Sequence, residues 1–313
     1  MDFPILGLHH VTATVDDAQA DLDFGIQALG LRLVKKTVNF DNHGVYHFYY
    51  GDERGTPGTI WTTFPYKGRG VAVGIKGAGQ VTATSFSVPA GSLDVWKTRL
   101  RERGFTVADA PPRFGEDVVM VADPSGLVME LVANDRDARA PWMTAGVTPG
   151  TAVRGIHSVT MTVRDPAPTV EFMKDLLGFE VVNETDGRIR VAVNGDEPGK
   201  TIDVVHSPRV EGAKNGIGTV HHVAMAITDG GEQLRMREEI VRRGLQVTPV
   251  MDRQYFTSIY FREPGGVLFE VATLKPGFAI DEAPSELGRA LKLPPAAEAN
   301  RAAIEASLPA VRV

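Results

Sequence analysis

The sequence has no cysteine. Disulfides, thiolate nucleophiles and sulfur-ligated metal sites are therefore excluded, and any metal must be held by His, Asp or Glu. No stretch approaches the ~18–20 consecutive apolar residues of a membrane span, so no membrane partner is expected. The opening Met1-Asp2-Phe3-Pro4 lacks the charged and apolar regions of a secretory leader. Basic runs that would track phosphates are missing and the net charge is −6, which argues against nucleic acid as a partner. A Walker-type phosphate loop is missing as well. The turn-rich stretch from Gly51 to Gly58 does not end in Gly-Lys-Ser/Thr. What remains is a chain of 313 residues, 43% hydrophobic and 23% charged. That is ordinary globular composition, long enough for about two domains, and a cytoplasmic location is the default expectation.

What the chain does have is internal repetition. Gly7-Leu-His-His-Val-Thr-Ala-Thr-Val15 matches Gly155-Ile-His-Ser-Val-Thr-Met-Thr-Val163 without gaps, and the match runs on through Asp17/Asp165, Phe24/Phe172 and Leu29-Gly30/Leu177-Gly178. A second pair joins Leu100–Val107 to Ile240–Val247, Arg113 to Arg253, and Asp123–Glu130 to Glu263–Glu270. Each copy reads as an alternating strand, an amphipathic helix and further strands, with a Pro-Gly type turn before the last. Four modules result, over about 5–66, 78–135, 153–208 and 218–274. Modules 1 and 2 form an N-terminal domain, residues 1–145, and modules 3 and 4 a C-terminal domain, residues 151–275. A tail, 276–313, carries Pro294-Pro295 and a short Ala/Glu-rich helix. It is expected to pack on the body or on a neighbouring subunit and to contribute no chemistry.

This organisation resembles the vicinal oxygen chelate superfamily, which includes glyoxalases and extradiol dioxygenases. The resemblance implies an α+β fold of four βαβββ modules in two tandem domains, with metal ligands on the first and last strands of modules. Strand alternation then tests the candidates, because residues i and i+2 share a face. The repeats align His9 with His157, His10 with Ser158, His222 with Thr82, and Glu270 with Glu130. With His10 and His222 facing inward, only modules 1 and 4 together supply two imidazoles and a carboxylate: His10, His222 and Glu270. That is the facial triad of non-haem Fe(II) oxygenases, which leaves positions open for substrate and O2. His157 is out of register for this site, and Glu130 reads as an inherited carboxylate capping a turn or pairing with Arg113. His43, His47 and His206 belong to no such constellation and read as structural or surface residues.

A narrower likeness follows. The segments Leu8–Thr14, Asp52–Thr59, Thr62–Pro65, Val220–Ala224, Asp252-Arg253, Tyr260 and Gly265–Glu270 are similar to those of the hydroquinone 1,2-dioxygenases. The resemblance implies a non-haem Fe(II) extradiol-type dioxygenase that opens hydroquinone-type rings, chlorinated ones included, with O2 as co-substrate, and a homo-oligomer. It implies that His9 and His221 lie beside the ligands, where imidazoles can carry protons. Alternation, however, turns both to the opposite face unless the strands bulge, and core histidines satisfied by backbone groups are the competing reading. Tyr260, ten residues before Glu270, is expected on a neighbouring strand facing the same cup, hydrogen-bonding substrate or bound oxygen. Arg253 either meets developing negative charge or forms a structural salt bridge, as its repeat partner Arg113 suggests. Thr12 shares the face of His10 and lines the pocket unless it is merely a strand residue, as Thr160 is. A site with three protein ligands exchanges its ion, so crystals could carry another divalent metal. The rival readings are a glyoxalase-like isomerase or lyase, and a metal-free protein that sequesters a small aromatic.

Overall fold

The computed structural model describes residues 5–313 except 145 and 186; the Met1-to-Pro4 stretch read above for a leader lies outside the described residues. Each module is a strand, a helix and three strands. Module 1 is β1 (Ile5–Val15), α1 (Ala18–Leu22), β2 (Arg32–Asn39), β3 (Asn42–Gly51) and β4 (Ile60–Pro65). Module 2 is β5 (Gln80–Val88), α2 (Leu93–Glu102), β6 (Val107–Arg113), β7 (Glu116–Ala122) and β8 (Val128–Ala133). Module 3 is β9 (Gly155–Val163), α3 (Pro166–Leu177), β10 (Glu180–Thr185), β11 (Arg188–Ala192) and β12 (Thr201–His206). Module 4 is β13 (Thr219–Ile227), α4 (Gly230–Arg242), β14 (Met251–Asp252), β15 (Thr257–Arg262) and β16 (Leu268–Thr273).

Local chemistry marks the helix starts. Asp17, Asp165 and Asp229 each sit at a helix N-cap and accept backbone N–H bonds from the first turn. Gly178 ends α3 at φ 72°, a backbone conformation that a residue with a side chain rarely adopts. The first helix departs from the expected regular form. It runs into a π-helical turn, Asp23–Ala28, before reaching Leu29-Gly30.

The sheets are assembled across the two halves of the chain. One eight-stranded curled sheet has the order β14-β15-β16-β13-β1-β4-β3-β2, and the other β10-β11-β12-β9-β5-β8-β7-β6. Modules 1 and 4 thus share one sheet, modules 2 and 3 the other, and each half contributes one module to each. The outer faces bury Phe24, Trp61, Leu100, Met173, Ile240 and Phe269 in one apolar core with the helices, and the inner faces form two cups.

The pairing corrects one alignment. In the first sheet Thr12 faces His222, whereas in the second Thr160 faces Ala83. The position equivalent to His222 is therefore Ala83, not Thr82. Between the end of its first strand and the aligned helix positions Leu100 and Ile240, module 4 carries one residue more than module 2, so the offset that holds for the helices and last strands slips by one on the first strand. Neither residue is a ligand type, and the outcome for that cup is unchanged.

The tail packs on the body of the same chain. Lys292 N–H donates to Lys36 O at 2.9 Å, continuing the ladder beyond the edge strand β2. Leu287, Leu293 and Ile304 are buried, the last on the short helix α5 (Arg301–Ser307). Lys35, fully buried, is paired with Asp281 at 2.6 Å and with Glu282. Among the described residues, no helix is long and apolar enough to cross a membrane.

Candidate metal centre

The central strands β1 and β13 run antiparallel, and their register slips three times, two of them beside a histidine pair. Leu8 faces Met225 and His10 faces Ala224, so His9 is an extra residue; Thr12 faces His222 and Ala13 faces Val220, so His221 is an extra residue too. Two β-bulges, one on each strand, immediately precede His10 and His222. A bulge re-aims the inserted side chain, which supplies the condition that simple alternation lacked. His9 Nδ1 lies 2.9 Å from His10 Nδ1, and His221 Nδ1 lies 2.7 Å from His222 Nδ1. His221 lines the cup itself. His9 is buried behind His10 against Phe256, ring centroids 4.9 Å apart.

This geometry turns the Nε2 atoms of His10 and His222 toward each other, 3.3 Å apart. Glu270 Oε2 stands 3.2 Å from the first and 2.8 Å from the second. Two cis ligands each about 2.1 Å from a first-row ion are about 3 Å apart, so the three spacings suit one cation. Among the described residues this is the one convergent group of three His, Asp or Glu side chains. Glu270 Oε2 is buried and receives no well-aimed hydrogen bond despite those distances. When His10 and His222 donate from Nδ1 to the preceding histidine, their Nε2 atoms are bare lone pairs aimed at a bare carboxylate oxygen. In that tautomer a cation resolves the arrangement. Ser258 Oγ donates to the other carboxylate oxygen, Oε1. Burial opposes ionisation of Glu270, but the His10 and His222 imidazoles outweigh it and hold the carboxyl well below its usual range. Burial likewise lowers His222, with Glu270 acting against it. His9 and His221 are pushed down to about 3, by burial first and by the adjacent imidazole second, so both are neutral at physiological pH.

Around the triad is a cavity of about 210 Å³, below the ~300–1,000 Å³ typical of drug-sized ligands and suited to a small ring. Tyr260 pairs across the ladder with Glu270 and faces the same cup, its ring 5.6 Å from that of His222. Arg253 Nε donates to Tyr260 Oη at 3.1 Å, and the guanidinium also pairs with Asp41 at 3.2 Å. The salt-bridge reading of Arg253 is thus present, at a residue that also lines the cavity. Burial and the Glu270 charge raise the Tyr260 phenol above its ordinary value, while Arg253 acts in the opposite direction. Thr12 lines the cavity and accepts a 2.9 Å hydrogen bond from Thr62 Oγ1.

Sequence reasoning missed His47. It is not a structural bystander. It lines the cavity, lies 2.9 Å by Nε2 from Thr62 Oγ1, and is sandwiched between Tyr49 and Phe64 at ring distances of 4.0 and 4.2 Å. Burial holds it well below the ordinary imidazole range, with His10 and His222 adding to the effect. The usable signal was alternation along β3, where His47 and Tyr49 share a face. Attention restricted to first and last strands passed over it.

Among the described residues the second cup has no comparable group of two imidazoles and a carboxylate. Ser158 and Ala83 stand where the imidazoles stand in the first. Arg113 reaches Glu130 at 2.9 Å, as a non-metal role for that carboxylate requires. Arg190 pairs with Asp203 at 2.7 Å and with Glu116 at 2.8 Å. His157 Nε2 lies 2.9 Å from Glu116 and its Nδ1 3.0 Å from Ser158 Oγ, in a different sheet from the triad.

Comparison with known proteins agrees with this geometry. The profile of the Glyoxalase/Bleomycin resistance protein/Dioxygenase superfamily matches residues 7–131 and 155–271. MhqE of Bacillus subtilis, provisionally named a ring-cleaving dioxygenase, is 43% identical over 97% of this chain and 98% of its own length. The chlorohydroquinone/hydroquinone 1,2-dioxygenase of Sphingobium indicum is 37% identical over 93% of this chain and 92% of its own. A crystal structure from Bacillus subtilis, provisionally described as a dioxygenase, superposes with a TM-score of 0.94 at 41% identity, covering 99% of this chain and 98% of that one. Glyoxalase I of Zea mays shares the fold alone, with a TM-score of 0.63 at 14% identity, over 85% of this chain and 92% of that one. Two duplicated halves, a cup with a strand-borne His/His/Glu cluster and end-to-end likeness to these relatives make the chain a member of the glyoxalase/bleomycin resistance protein/dioxygenase superfamily, in its family of ring-cleaving and hydroquinone dioxygenases.

Proposed function

We propose that the chain is a non-haem Fe(II), extradiol-type dioxygenase that opens the ring of hydroquinone-type aromatics, chlorinated ones included, with O2. The observation that carries this reading is the convergence of His10, His222 and Glu270 in a small buried cup lined by phenol and arginine. Two neutral imidazoles and one carboxylate leave a divalent ion a net charge near +1 and about three free positions. When bound there, Fe(II) would supply Lewis acidity toward a phenol oxygen and a common seat for substrate and O2. Overall, both atoms of O2 enter a ring-opened acid, and no other oxidant or reductant is needed.

The protein's share is positioning, charge and proton handling. A hydroquinone hydroxyl, with a pKa near the ~10 of an ordinary phenol, has to lose a proton to bind as phenolate. His221 lines the cavity and stands beside His222, which places an imidazole at the cavity wall to relay that proton. Tyr260 carries a phenol kept protonated by burial, with Arg253 hydrogen-bonded to its oxygen. Such a group donates to a substrate or oxygen atom on which negative charge develops. His9 orients His10 from behind, and Thr12 with Thr62 and His47 forms a polar wall along one side of the ring.

The test is O2 consumption by protein loaded with Fe(II) under anaerobic conditions, with hydroquinone, chlorohydroquinone and catechol supplied in turn. Uptake with the hydroquinones is expected. Uptake with catechol alone would keep ring cleavage and reject this substrate class, and none at all would reject the dioxygenase reading.

A further inference from the structure

The hairpin of module 2 is the counterpart of the one that carries Arg253, and its arginine faces two buried carboxylates, Glu130 and Asp203. The two hairpins have the same length, and the residue after each arginine takes a left-handed backbone, Phe114 at φ 52° and Gln254 at φ 64°. The arginines nevertheless end in different places. Arg113 reaches across its cup to Glu130 at 2.9 Å and to Ser85 Oγ at 3.2 Å. Arg253, launched from the same turn, stops short of Glu270 and rests on Tyr260 and Asp41. Two restraints act on the module 4 hairpin that the described residues around module 2 do not show. The turn between β2 and β3 offers Asp41 to the guanidinium. The C-terminal tail grips the hairpin: Asp281 Oδ2 accepts from Gln254 Nε2 at 2.8 Å and from Tyr255 Oη at 3.1 Å, and Gly277 N–H donates to Tyr255 O at 2.8 Å. Asp281 is itself anchored by buried Lys35.

We propose that Asp41 and Asp281 are positioning residues that keep Arg253 off Glu270, so that the carboxylate stays free for a metal ion. Released, Arg253 has the reach that Arg113 displays and forms a buried, charge-assisted pair with Glu270. A cation entering the site would then have to break that pair first. The tail, which carries no ligand, becomes part of what keeps the centre able to bind.

This inference rests on the metal reading of the triad, and the experiment separates the two. Mn(II) is titrated calorimetrically into metal-stripped wild type, Asp41→Ala, Arg253→Ala and the double variant. Asp41 is exposed, so its substitution leaves folding intact, and melting curves check this. Asp41→Ala is expected to weaken Mn(II) binding about tenfold or more, with Asp41→Glu restoring it. In the Arg253→Ala background, removing Asp41 should change nothing. Asp281→Asn should cause a smaller loss in the same direction, again dependent on Arg253. Affinity within about twofold of wild type in Asp41→Ala, or an equal loss without Arg253, overturns the restraint while leaving the triad standing. Wild type that takes up no Mn(II) overturns the triad, and the restraint falls with it.

Discussion

His9 and His221 occupy equivalent bulges on neighbouring antiparallel strands, and each meets the next histidine Nδ1 to Nδ1. The pairing fixes both rings so that their Nε2 atoms converge. Partners of this kind contribute about 10–100-fold to metal affinity. His9→Ala and His221→Ala are therefore expected to retain a metal site weakened by that factor, read by competition with a chelator. Wild-type affinity in both variants would mean the bulges orient nothing.

The triad itself makes a stricter prediction. His10→Ala, His222→Ala and Glu270→Ala should each lose stoichiometric metal after dialysis, whereas His157→Ala should keep it. Elemental analysis of the four proteins distinguishes this set from any site built in the second cup.

Tyr260→Phe removes one hydroxyl without disturbing a ligand. If the phenol donates to developing charge, the loss corresponds to about 1.5–3 kcal/mol, or roughly 10–100-fold in kcat on metal-saturated enzyme. An unaltered kcat would return Tyr260 to the status of a packing residue.

Outside the triad, Asp21 is fully buried, accepting from Tyr50 Oη at 2.7 Å and Thr63 Oγ1 at 2.5 Å. Burial raises its carboxyl from 3.8 to about 7, against the pull of those hydroxyls, and nearby Asp123 raises it further. A raised carboxyl means the folded state holds its proton more tightly than the unfolded one. Its contribution is thus most favourable below about pH 4 and is lost as pH climbs through 7. Asp21→Asn should flatten the pH dependence of the melting temperature over that window and melt a few degrees higher than wild type at pH 8. A parallel pH profile for both proteins would reject the assignment.

Lys35 sits fully buried between Asp281 and Glu282 and joins the tail to the edge of the first sheet. Lys35→Ala strands two carboxylates and should cost about 3–5 kcal/mol in urea denaturation. Restoring part of that loss with Glu282→Gln in the same chain would locate the cost in the unpaired charge.

The duplication made most of this legible. Repeats long enough to align by eye fixed four modules, and strand alternation then singled out modules 1 and 4 as the pair able to supply His10, His222 and Glu270, the pair that shares a sheet. Alternation could not foresee where it fails. A bulge is a property of two strands in register, so the inward turn of His221 was invisible in either strand alone. The one-residue slip that puts Ala83 rather than Thr82 opposite Thr160 was hidden for the same reason. His47 was overlooked because its strand is neither first nor last in its module. The tail has no repeat partner, so nothing in the sequence signalled that Asp281 braces the hairpin bearing Arg253.

The nesting of module 1 with module 4 sets a timetable for synthesis. Modules 2 and 3 are consecutive, so their sheet can close as soon as both emerge. Strand β1 has no such neighbour: His10 and His222 are 212 residues apart, roughly 10–40 s of translation at ~5–20 residues per second. Through that interval a strand buried on both faces in the finished protein has no antiparallel partner, which makes it the stretch of nascent chain most in need of a chaperone. The binding centre is consequently among the last features a growing chain acquires, and a ribosome that stalls between modules 3 and 4 leaves a polypeptide with one finished sheet and half a cup.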